Sequence, residues 1–108
     1  KLYLRNMLNY TIEDSRIYAL DDNGTLVAEV TFPAHDGIAV IDHTYVDNSL
    51  RGQGIASKLV QMAVDKIIAD GYKLAATCVY AIAWLERHPE YQVENTDAPI
   101  ACRIDKRR

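Results

Sequence analysis

Apolar residues recur every second position in the first half of the chain and every third or fourth in the middle. Between Thr25 and Phe32, the residues Leu26, Ala28, Val30 and Phe32 fall on one side, the alternation of a half-buried strand. Arg16 to Leu20 reads as a strand before it. Ile38 to Val46, rich in β-branched residues, reads as a strand after it. Asn23-Gly24 and Asp36-Gly37 punctuate these runs as hairpin signals, because a two-residue type I′ turn needs positive φ at both central positions. Together the three strands predict an antiparallel meander.

From Ile55 the period changes. Ile55, Ala56, Leu59, Val60, Ala63, Val64, Ile67 and Ile68 form a double stripe, with Lys58, Gln61, Asp65 and Lys66 on the polar side. That is a helix with one buried face, and Gly71 stands where its C-cap would fall. Tyr72 to Tyr80 is apolar on both sides, as a central strand covered on both faces would be. A shorter helix from Ala81 to about His88 must end before Pro89, which disfavours helical geometry in its predecessor. Ile100 to Ile104 admits one more strand. The order β-β-β-α-β-α predicts a layered domain of the α/β (α+β) class over residues 1–108, with its core between about 9 and 95.

Composition narrows the classes. The chain has 108 residues, 49% apolar and 25% charged, which suits one soluble core and not two. Its formal charge of −3 lacks the basic footprint of a nucleic-acid partner, and Lys106-Arg107-Arg108 reads as a solvated tail. No apolar run approaches the roughly 20 residues of a membrane helix, and no signal-peptide pattern opens the chain. The expectation is therefore no membrane partner and a cytoplasmic location. Cys78 and Cys102 make no disulfide framework, and with His35, His43 and His88 they offer no metal-ligand spacing, so no metal is expected.

The junction from Val46 to Ala56 carries the chemistry. Gly52 and Gly54 sit just where the long helix begins. The first turn of a helix has N–H groups without internal partners and a partial positive charge, both suited to an anion. Glycine removes the Cβ that would stand between backbone and ligand, and Arg51 adds a planar donor fork for phosphate. The alternative is a plain strand-to-helix turn. No GxxxxGK[ST] pattern is present, and Ser57 breaks a GxGxxG, so neither a P-loop nor a dinucleotide fold is indicated.

Arg51-Gly52-Gln53-Gly54-Ile55-Ala56 after a meander resembles the coenzyme A loop of the GCN5-related N-acetyltransferases, with Arg51, Gly54 and Ala56 at the defining positions. His43-Thr44-Tyr45-Val46, Thr77-Cys78-Val79-Tyr80 and His88-Pro89-Glu90-Tyr91 extend the resemblance to a small, stripped-down branch, the YjdJ type. The resemblance runs from about Arg16 to Gln92. The resemblance implies a truncated fold of that family, an antiparallel meander followed by helix-strand-helix. It implies acetyl-CoA as cosubstrate and an amine acceptor, small molecule or protein, of unknown identity. Two departures stand out. The family's two helices between the first strands are missing, which opens the acceptor side, and its asparagine on the second helix has no counterpart.

The candidate site follows from both arguments. Arg51, Gly52, Gln53, Gly54, Ile55, Ala56 and Ser57 would hold the pyrophosphate, with Tyr45 and Val46 on the strand beside it. Tyr80, Trp84 and Tyr91 would contact the cofactor or, alternatively, fill the core. Cys78 is a small core residue or, by resemblance, a thiol at the acetyl group, able to take it up or merely to line the pocket. His43 is a satisfied strand histidine, a general base, or a partner for the Cys78 thiol. His88 reads as a helix-end residue and His35 as surface. A non-catalytic acyl-CoA-binding or regulatory module is the alternative to an N-acetyltransferase, and a bare scaffold the more distant one.

Overall fold

The computed structural model describes residues 8–95. The strand expected at Ile100 to Ile104, Cys102 and the basic tail lie outside the described residues. A short strand β1 (Tyr10–Ile12), unpredicted, pairs with β2 (Arg16–Leu20), which pairs with β3 (Leu26–Thr31), all antiparallel. The run from Ile38 to Val46 is two strands, β5 (Ile38–Ile41) and β6 (His43–Val46), broken at Asp42. A two-residue strand β4 (Ala34–His35) precedes them. Helix α1 covers Ile55–Ala69, strand β7 Lys73–Ala76, and helix α2 Val79–Glu86.

The break at Asp42 sends the two halves into different sheets. β6 joins β3 in a four-stranded sheet ordered β1-β2-β3-β6. β5 pairs in parallel with β7 in a three-stranded sheet ordered β4-β5-β7. The expected meander is therefore present as β2, β3 and β6.

The turn chemistry is redistributed. The two-residue I′ turn is at Asp36-Gly37, with φ of 55° and 82°. At Asn23-Gly24 only the glycine has positive φ. There the Asp21 carboxylate accepts the N–H groups of Asn23 and Thr25, and the strand register slips between Ala19 and Leu20. A longer, side-chain-braced loop replaces the tight one.

Helix α1 begins and ends as its pattern predicts. At its C-terminus the Tyr72 N–H donates to Ile67 O and the Gly71 N–H to Ile68 O, a Schellman end with Gly71 at φ 83°. Ile55, Leu59, Val60, Ala63, Val64 and Ile67 are buried, facing Ile17, Ala19, Ala28 and Val30 of the four-stranded sheet. Trp84 and Leu85 of α2 and Leu74 of β7 complete the same core. Leu59 has no exposed surface, so Leu59→Ala should remove about 2–5 kcal/mol of stability. Urea denaturation should read this as a lower midpoint at unchanged slope.

The second half departs from its pattern. The strand expected over Tyr72 to Tyr80 stops at Ala76, and the helix expected from Ala81 starts at Val79. The cause is a shared acceptor: the Thr77 and Cys78 N–H groups both donate to Ile41 O. One carbonyl cannot continue a ladder for two successive residues, so the chain turns into α2. Cys78 is accordingly the N-cap of a helix rather than the end of a strand.

Candidate functional site

The site forms where the chain leaves β7. β5 pairs with β7 up to Ile41, β6 beyond it does not, and β6 is an edge of its own sheet among the described residues. The Asp47 N–H donates to Val27 O, which makes Ala28↔Val46 and Val30↔Thr44 the non-hydrogen-bonded pairs of the β3–β6 ladder. The backbone N–H and C=O of Thr44 and Val46 are therefore turned to the open edge.

The chain next turns through a single 3-10 turn, Asn48–Leu50, capped by Asp47. The Ser49 hydroxyl and amide both donate to that carboxylate and hold it below the usual carboxylate range. Arg51 then stands extended, and Gly52 and Gly54 adopt φ of 83° and 75°. Gly54 is the N-cap of α1 and supplies no side-chain oxygen. The first-turn N–H groups of α1 thus lack the usual intrachain acceptor. A Cβ built at Gly52 or Gly54 would meet nothing within 4 Å, so open space lies in front of both. The buried side-chain oxygen without a hydrogen-bond partner among the described residues, Gln53 Oε1, belongs to the same loop.

These elements enclose a cleft of about 370 Å³. Val46, Arg51, Gly52, Gly54, Ile55, Ala56, Ser57 and Tyr80, all expected at the site, line it. Thr44 and Leu50 line it too and were missed. Thr44 was legible: it lies two residues before Val46 and so on the same face of the strand.

Gln53, Trp84 and Tyr45, expected as cofactor contacts, do not line it. Trp84 is 1% exposed and does not line the cleft. Its Nε1 donates to Ser57 Oγ at 2.9 Å, and its ring stacks on His88 at 3.8 Å and on Tyr91 at 6.1 Å. The His-Pro-x-Tyr motif is thus a packing clamp on Trp84, reinforced by Gln61 Nε2 donating to the Tyr91 hydroxyl. Tyr45 points to the other face of the sheet, opposite Glu29, with its hydroxyl 3.3 Å from Asp47. Partial burial, with Asp47 adding to it, pushes its phenol up.

Cys78 and His43 are not brought together. Cys78 is fully buried, and its Sγ donates to Thr44 Oγ1 at 3.6 Å. His43 precedes Thr44 and so projects from the opposite face, where Nε2 lies 3.4 Å from Glu29 Oε1. Strand parity decides this, and it removes His43 as a partner for the thiol. Asp42 also does not pair with His43; it accepts a hydrogen bond from Thr31 Oγ1 instead.

Among the described residues, no group of three or more His, Cys, Asp or Glu could hold a metal ion. No helix of the described residues is long and apolar enough to cross a membrane.

The architecture is α+β: an antiparallel sheet whose edge strand runs through a glycine loop into a helix N-terminus, beside a diverging parallel strand. Residues 16–93 match the family model of the GCN5-related N-acetyltransferases, so the chain belongs to that family and is an acetyltransferase by class. A GCN5-like protein from Staphylococcus aureus described as an N-acetyltransferase superposes with a TM-score of 0.66 at 30% identity, covering 83% of this chain and 91% of its own. A protein described as a phosphinothricin N-acetyltransferase superposes with 0.52 at 27% identity, covering 71% of this chain and 56% of its own. Glucosamine-6-phosphate N-acetyltransferase from Arabidopsis thaliana, at 18% identity and 0.51, covers 79% of this chain and 66% of its own and shares the fold. No curated protein matches the chain.

Proposed function

We propose that the chain transfers the acetyl group of acetyl-CoA to an amine, with the pyrophosphate held by the loop from Arg51 to Ser57. The observation that carries this is the cleft itself. It joins an uncapped helix start, two positive-φ glycines and an unpaired strand edge in one continuous surface. A dianionic pyrophosphate suits the first-turn N–H groups and Arg51. The edge groups of Thr44 and Val46 suit the amide-bearing arm of the cofactor, since an unpaired strand edge pairs with any extended amide chain.

When bound, acetyl-CoA supplies an acetyl thioester whose carbonyl carbon an amine attacks, with loss of the CoA thiol. An N–H of the β6 edge near Val46 would polarise the carbonyl oxygen, as a fixed donor needing no reorganisation. His43 would accept the proton that the amine loses. Cys78, buried behind Thr44, would shape the acetyl end of the cleft. The acceptor would approach from the uncovered side of the sheet. The β2–β3 connection is only a short loop, and α1 packs on the other face.

A thermal-shift titration tests the binding half. At about 100 times the dissociation constant, acetyl-CoA should add roughly 2.7 kcal/mol of stability. Release of CoA thiol in the presence of a diamine, an amino sugar or a lysine peptide tests the transfer half. No thermal response at millimolar acetyl-CoA would remove the proposal altogether. Binding without transfer to any amine would favour a module that carries acyl-CoA without turning it over.

A further inference from the structure

The sheet face opposite α1 carries a cluster that the cleft does not use. Glu29 sits centrally on β3, its side chain 15% exposed. Arg16 Nε donates to Glu29 Oε2 at 2.5 Å, and His43 Nε2 lies 3.4 Å from Glu29 Oε1. The ladders dictate this meeting. Thr31 is registered opposite both Arg16 and His43, so each is a diagonal neighbour of Glu29, two residues back along β3. The Arg16 guanidinium also lies over the Tyr18 ring, 3.8 Å from its centroid. Arg16 is thereby held on both sides, and its grip leaves Glu29 one oxygen free for the imidazole.

We propose that Glu29, clamped by Arg16, is a positioning residue for His43. It takes the Nε2–H of the neutral ring, fixes the tautomer with Nδ1 bare, and turns Nδ1 to the uncovered side of the sheet. Only one ring nitrogen of a neutral imidazole can accept a proton, and the hydrogen bond at the other selects which. A 3.4 Å contact is long for that bond, as such contacts often are before substrates bind. The other charged and titratable groups around His43 are accounted for. Asp42 is engaged by Thr31, Tyr45 by Asp47, and Arg16 by Glu29, while α1 packs on the opposite face.

This rests on the reading of His43 as the proton acceptor, and the experiment separates the two. Nitrogen-15 NMR of the histidine rings, with saturating CoA and at a pH where His43 is neutral, should show a protonated Nε2 and a bare Nδ1. In Glu29→Gln the amide cannot serve Arg16 and His43 through the same two oxygens, so the signals should move toward a mixture of tautomers. With the amine that wild type acetylates fastest, Glu29→Gln should lower kcat about 10- to 100-fold. KM for acetyl-CoA should not change, and there should be little further loss when Glu29→Gln is added to His43→Gln. A protonated Nδ1 in wild type would overturn the proposal, even if Glu29→Gln failed to fold. So would equal losses from Glu29→Gln with and without His43. Full turnover in His43→Gln alone would instead reject the proton-acceptor role, and with it the reason for the dyad.

Discussion

Gly54→Val should lose acetyl-CoA affinity about 10²–10⁴-fold while the domain stays folded. Two effects combine. The N–H groups around Gly54 are the donors that a pyrophosphate would use, and losing two of them at about 1.5–3 kcal/mol each reaches that range. A branched side chain at φ 75° is also strained, by about 1–2 kcal/mol for the left-handed conformation and more for a β-branched residue. That strain is small against the 5–15 kcal/mol typical of a domain. Among the described residues, nothing but its chain neighbours lies within 4 Å of the new Cβ, so the side chain projects into the cleft rather than into the core. Gly24→Val is the matched control: φ is 82°, its surroundings are equally open, and it lies outside the cleft. It should cost similar stability and leave affinity unchanged. Arg51→Ala should weaken binding only about 10- to 100-fold, because the backbone donors remain. Isothermal titration of the three variants, each with native circular dichroism, decides the matter. Unchanged affinity in folded Gly54→Val would place the pyrophosphate elsewhere.

His43→Gln should cost about 10²–10⁴-fold in kcat with acetyl-CoA affinity intact, the range of a lost acid–base group. Cys78→Ala should keep most of the activity. The geometry separates the two residues. His43 is 48% exposed on the open face, where an amine can reach it, whereas Cys78 has no exposed surface and its thiol donates to Thr44. A nucleophilic thiol would need that cover to move aside. Intact mass spectrometry of wild type with acetyl-CoA and no acceptor should therefore show no added acetyl group. An acetylated protein, together with loss of turnover in Cys78→Ala by several orders of magnitude, would reverse the assignment and make Cys78 the acyl carrier.

Much of the architecture was readable from local pattern. The alternation from Leu26 to Phe32 placed β3, and the stripe from Ile55 to Ile68 placed α1 to within a residue. Periods of 2 and 3.6 are properties of the backbone itself, so they survive whatever the element packs against. The loop was equally legible. Arg51, Gly52 and Gly54 line the cleft because glycines before an amphipathic helix leave its first N–H groups open, with no distant partner required. The boundary errors have one origin. Tyr72 to Tyr80 is uniformly apolar, so periodicity could not show where the strand turned into a helix. Trp84 was ambiguous for a similar reason, since an aromatic ring suits a cofactor and a core alike.

The sequence by itself determined β2, β3 and α1, where α1 starts, and that a glycine loop with Arg51 precedes it. These are decided within a few residues, by side-chain period, caps and permissive φ. Only the tertiary structure decided how Ile38 to Val46 is shared between two sheets. Asp42 breaks the run because its N–H donates to Thr31 O while Ile41 O is taken by Thr77 and Cys78. Those are distant partners that no local pattern records. The same break frees the β6 edge that borders the cleft. It also sets the parity that turns Thr44 toward Cys78 and His43 toward Glu29. A single residue of register reverses which side chains share a face, and register is settled by partner strands rather than by the strand's own sequence.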